Sequence, residues 1–206
     1  MNRKNVAILG IILCSIYFIA TFKLILTGAQ IWLIAMELVT MASGIFMIML
    51  VLTFPFHKTE NFITYKIIAC IFSAACMVLT NVAHMVNLTV TEQLLKNGVS
   101  IPDYLRIGKW PSVEMAIDYL AWGLFMGLAF IFSSFGIDKE KTVNKLKTIL
   151  FICGCLCLVG FFCAILINEN LWYIAPMGYG FGTLIICIEL LIINKKLSQL
   201  QLNQNH

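Results

Sequence analysis

Trp110-Pro-Ser-Val-Glu-Met-Ala-Ile-Asp-Tyr-Leu-Ala-Trp-Gly-Leu-Phe-Met-Gly127 reads like a helix entering a bilayer from its interface. Tryptophan sits well at headgroup level, proline suits a helix start, and an apolar run follows. Glu114 and Asp118 are carried into that run. An acid inside lipid is costly and comes with a partner or a task. The i,i+4 spacing puts both acids on one face, with Trp122 a further turn along.

The chain around this stretch repeats the apolar theme. Of 206 residues, 61% are hydrophobic and only 12% charged, and the mean hydropathy is +0.93. A soluble domain holds about 45–50% apolar residues, so this excess has no soluble core to enter. The composition predicts an all-α polytopic bundle, one domain over 1–206. Its six expected spans are 5–26, 31–54, 63–88, 112–135, 148–167 and 171–194, each near the 20 or so residues that cross a hydrocarbon core. The basic start Arg3-Lys4 also fits a signal peptide. The apolar run behind it is too long for one, so the expectation is a retained first helix.

Lysine and arginine set the expected orientation. With the N-terminus inside, Arg3, Lys4, Lys58, Lys66, Lys139, Lys141, Lys145, Lys147, Lys195 and Lys196 fall on the inner side. Lys23, Lys96, Arg106 and Lys109 fall outside, so the 14 basic residues divide ten to four. The positive-inside rule then places both termini in the cytoplasm. Trp32, Trp110 and Trp172 fall at the outer boundary. The connector 89–110 mixes Leu94, Leu95, Val99, Ile101, Tyr104, Leu105 and Ile107 with charges, as an amphipathic segment on the outer surface does. The bilayer is the expected partner. The basic residues are scattered, with no patch for nucleic acid.

With this topology the polar residues gather at one depth. Glu37, Asn81, His84, Asn87, Glu114 and Asp118 mostly fall within about 10 Å of the outer interface. Lys23 and Glu37 flank the turn Thr27-Gly-Ala-Gln30 and match in depth, which makes them a candidate pair. His84 is the best available partner for Asp118. Three carboxylates against one cation, Lys23, leave at least one acid protonated, solvated or paired with something further: a proton, a metal ion or a ligand's amine. Asp118, Glu114, His84, Glu37, Asn81 and Trp122 are therefore the candidate ligand-binding set. No motif implies a cofactor, and which metal, if any, would bind is left open.

Other features read as packing. Eight cysteines lie in apolar segments. In Cys153-Gly-Cys-Leu-Cys157 alternate positions point about 200° apart, so the thiols do not converge on one ion. Gly123 with Gly127, and Gly178 with Gly182, are small-xxx-small pairs. Pro176 ahead of those glycines marks a kink or a broken helix lining a path. Glu189 lies where Lys195 or Lys196 can reach it. Asn87-Leu-Thr89 is a glycosylation sequon close to the membrane.

Three functional readings follow. One is a bundle that binds, senses or moves a small polar or cationic solute from the outer side. The second is a membrane-embedded, metal-dependent hydrolase using the same residues; no H-E-x-x-H, Glu-Glu-x-x-x-Arg or G-x-S-x-G pattern is present to support it. The third is a structural or partner-binding protein with its acids satisfied internally. Asn87-Leu-Thr-Val90, Ile101-Pro-Asp-Tyr104, Trp110-Pro-Ser-Val113 and Asp118-Tyr-Leu-Ala-Trp-Gly123 resemble small bacterial multi-span membrane proteins of the domain-of-unknown-function type. The resemblance implies a bacterial, polytopic plasma-membrane protein and transfers no catalytic residue.

Overall fold

The computed structural model describes residues 2–57, 60–106, 111–137 and 142–204. Lys58, Ile107, Lys109, Trp110, Lys139 and Lys141 lie outside the described residues. Among the described residues, six helices are long and apolar enough to cross a membrane.

Helix α1 is Arg3–Thr27 and α2 is Gln30–Thr53. Gly28 separates them in the left-handed region at φ 61°, donating its N–H to the Leu24 carbonyl at 2.8 Å. Glycine takes that φ without steric cost and closes a short antiparallel turn. Helix α3 covers 60–96, α4 is Val113–Gly136, α5 is Asn144–Leu166, and α6 covers 174–204 behind a short 3-10 turn, Glu169–Tyr173. Ser112 caps α4 by accepting the Met115 N–H at 3.1 Å, so Pro111 stands just before the helix and breaks no bond in it.

Three boundaries differ from the sequence expectation. Helix α3 does not stop near residue 88 but runs on through Lys96. The first third of the expected surface connector thus prolongs a membrane helix, and the described residues after it, 97–106, hold only the 3-10 turn Asp103–Leu105. Helix α5 begins at Asn144, and α6 extends to Gln204. Amphipathic residues at a helix end continue a helix as readily as they lie on a surface.

The helices pack in chain order, each against the next, and α1 returns onto α6 to close the ring. The interior is filled by Phe46, Met47, Leu50, Met126, Phe130, Ile186 and Leu190. The outside carries exposed apolar side chains such as Phe22, Ile25, Ile31, Ile71 and Leu166. Such a surface is stable against lipid and not against water, and the chain is a multi-pass membrane protein. At the end of the bundle holding the N-terminus, Arg3 Nε donates to the Thr53 carbonyl at 3.0 Å and Lys147 Nζ to the Ile137 carbonyl at 2.9 Å. Glu189 pairs with Lys145 at 2.8 Å rather than with Lys195 or Lys196. The early start of α5 brings Lys145 to it, whereas the two later lysines point outward.

The glycines of α4 and α6 close the α5 interface. A Cβ on Gly123 would sit 2.9 Å from Phe161, and one on Gly127 2.9 Å from Cys157. On Gly178 it would lie 2.6 Å from the Cys153 carbonyl, and on Gly182 2.7 Å from the Cys153 sulfur. Cys153 and Cys157 are one turn apart and are the small residues that Gly127, Gly178 and Gly182 receive.

Candidate functional site

At the end of the bundle away from the termini, the polar residues form a chain across three helices. Glu37 is completely buried on α2, about 10 Å along it at 1.5 Å per residue. Its Oε1 accepts from Asn87 Nδ2 at 3.0 Å, and its Oε2 meets His84 Nδ1. The other ring nitrogen, Nε2, lies 3.2 Å from Asp118 Oδ1 on α4. Glu37, His84 and Asp118 thus make one carboxylate–imidazole–carboxylate triad.

Hydrogen-bond counting fixes its charge. Both ring nitrogens face carboxylate oxygens, and each contact needs a proton between its atoms. Two protons are therefore shared, either both on His84 or one on the ring and one on a carboxyl. In either case the triad carries a net charge of −1. Asp118 Oδ2 makes no hydrogen bond to a described residue, and the Asp118 side chain keeps 17% of its surface open.

Asp118 lines a cavity of about 400 Å³. Tyr17 and Phe18 of α1, Thr40 and Ser43 of α2, Trp122 of α4 and Tyr179 of α6 line it with His84 and Asp118. The Trp122 and Tyr179 rings meet at 5.1 Å between centroids, tilted by 33°. Beside this region three helices loosen into π turns: Asn87–Thr91, Leu120–Phe125 and Met177–Phe181. These turns supply Asn87, Trp122 and Tyr179 respectively. A π turn widens the helix and re-aims its side chains, and such turns are frequent at functional sites. In α6 Pro176 stands immediately before the π turn.

Of the six sequence candidates, the structure brings Asp118, His84 and Glu37 together, with Trp122 lining the same cavity one turn along α4. Glu114 is buried one turn nearer the surface and accepts from Thr91 Oγ1 at 2.9 Å. Asn81 turns to backbone, donating to the Met77 carbonyl at 2.9 Å and to the Met41 carbonyl at 3.4 Å. The expected Lys23–Glu37 pair is replaced by His84 and Asn87, since Lys23 is on the exposed face of α1. Sequence reasoning missed Tyr17, Trp172 and Tyr179. Their signal was depth: Tyr17 lies in the half of α1 nearer Gly28, Tyr179 in the first turns of α6, and Trp172 in the 3-10 turn just before α6. Compared with protein families, curated proteins and solved structures, the chain matches none.

Proposed function

We propose that this is a bacterial plasma-membrane protein that binds a small polar or cationic solute in the Asp118 cavity, to sense it or to move it. The cavity faces the cell exterior and both termini face the cytoplasm, in keeping with the ten-to-four division of basic residues. Residues 97–106 lie along the outer surface. The observation that carries the reading is Asp118 itself, an acid held by a buried imidazole through one oxygen and lining a cavity. A buried polar network with one group left open to a pocket is what a membrane ligand site requires.

The test is the melting temperature of the purified protein in detergent against cationic, zwitterionic and anionic small solutes, with and without chelator. The expected result is stabilisation by cationic solutes that Asp118→Asn removes. Equal shifts in wild type and variant, or none from any solute, would overturn the binding reading. Stability lost on adding chelator and restored by a divalent metal would favour the metal-dependent hydrolase instead.

A further inference from the structure

The cavity walls restrict which cation fits. Six aromatic rings line it, from Tyr17, Phe18, Phe46, Trp122, Trp172 and Tyr179, and three leucines and three methionines supply most of its other apolar wall. Of the lining residues only His84 and Asp118 can carry charge; the other polar groups are the hydroxyls of Thr40, Ser43 and Thr183, the thiol of Cys14 and the polar ends of the Tyr and Trp rings. Three arguments follow from that lining.

The first is charge. A triad at −1 is neutralised by one positive charge. A dication would leave an excess charge in a low-dielectric site, where uncompensated charge is costly. The second is coordination. A hard inorganic cation takes about six or more oxygen ligands or keeps its water. Among the described residues no group of three or more His, Cys, Asp or Glu is arranged to hold a metal ion. The third is the wall itself. Aromatic rings attract a weakly hydrated ammonium through their quadrupole, and the apolar remainder favours an apolar body on the same ligand. About 400 Å³ is ample for a small aryl-alkyl ammonium and lies in the usual range of ligand pockets.

We propose that the cavity takes a singly charged organic ammonium with an aromatic or bulky apolar group, its cationic head at Asp118 Oδ2 and its body among the rings. This rests on the binding reading above and narrows it to a ligand class.

Benzyltrimethylammonium, its neutral carbon isostere neopentylbenzene, magnesium chloride and glycine separate the possibilities when each is titrated into the purified protein and melting is followed. The expected result is saturable stabilisation by benzyltrimethylammonium alone. Asp118→Asn should weaken it by about tenfold or more, and Trp172→Leu by several-fold. Trp172 is partly exposed and outside the triad, so its variant answers the question even if Asp118→Asn folds poorly. Equal stabilisation by neopentylbenzene would mean an apolar cavity with no role for charge and would overturn the inference. Stabilisation by magnesium or glycine that needs Asp118, without any from the ammonium, would overturn the ligand class and leave the binding site standing. No shift from any of the four would overturn both.

Discussion

Glu37 stands at the centre of the polar chain, with no surface exposed and both oxygens engaged. Glu37→Leu would leave His84 and Asn87 facing a hydrocarbon wall. Removing one partner of a buried charged pair typically costs about 3–5 kcal/mol, so chemical or thermal unfolding should show a loss of that order. Glu37→Gln keeps an acceptor and most of the shape and should cost clearly less. Asn87 is 1% exposed with its amide on Glu37; expressed in a glycosylating host, the chain should keep its unmodified mass. The Asp118–His84 pair was legible because His84 is the only histidine inside a predicted span. The Lys23–Glu37 pair misled because sequence gives a residue's depth far better than its face. Lys23 matches Glu37 in depth and sits on the outside of α1.

At the scale of helices, glycines separate contact from open space. A Cβ on Gly160 would fall 2.2 Å from the Ala175 backbone nitrogen, while one on Gly180 meets nothing within 4 Å. Gly160→Ala must push α5 off the start of α6 and should destabilise by about 1–3 kcal/mol or more. Gly180→Ala should be neutral or stabilise by up to about 1 kcal/mol, through lower unfolded-state entropy. Melting of the two variants side by side checks the α5–α6 seam. The spans were readable because each carries a long apolar run between polar ends. The π turns were not readable, apart from the Pro176 warning, since a one-residue widening of the backbone leaves no periodic trace. The length of α3 was misjudged for a related reason. Thr89 to Lys96 has the composition of a surface segment, yet Gln30 Nε2 reaches across to Glu92 at 2.9 Å and ties that last turn to the start of α2.

For the whole molecule, an even number of membrane helices returns the chain to the side on which it began. Reporter fusions at Asn2 and at the C-terminus should both report cytoplasm, and a fusion after Gly98, in the connector beyond α3, the outside. The opposite pattern would invert the proposed exposure of the cavity. The ring of helices leaves its polar chain at one end only, so the behaviour of the whole bundle with pH should follow the triad. The folded triad holds two protons. The unfolded chain, with both carboxylates ionised and a free imidazole of pKa about 6.5, holds one above that pH. Stability falls with rising pH wherever the folded state holds more protons, so wild-type melting temperature should decline from about pH 6.5 towards 9. In Asp118→Asn the amide supplies the second hydrogen, one proton suffices, and the slope should vanish. The decisive measurement is therefore the melting temperature of wild type and Asp118→Asn in the same detergent from pH 5 to 9. A wild-type decline above about pH 6.5 that the variant lacks is the result expected from a triad sharing two protons. Parallel curves for the two proteins would contradict it.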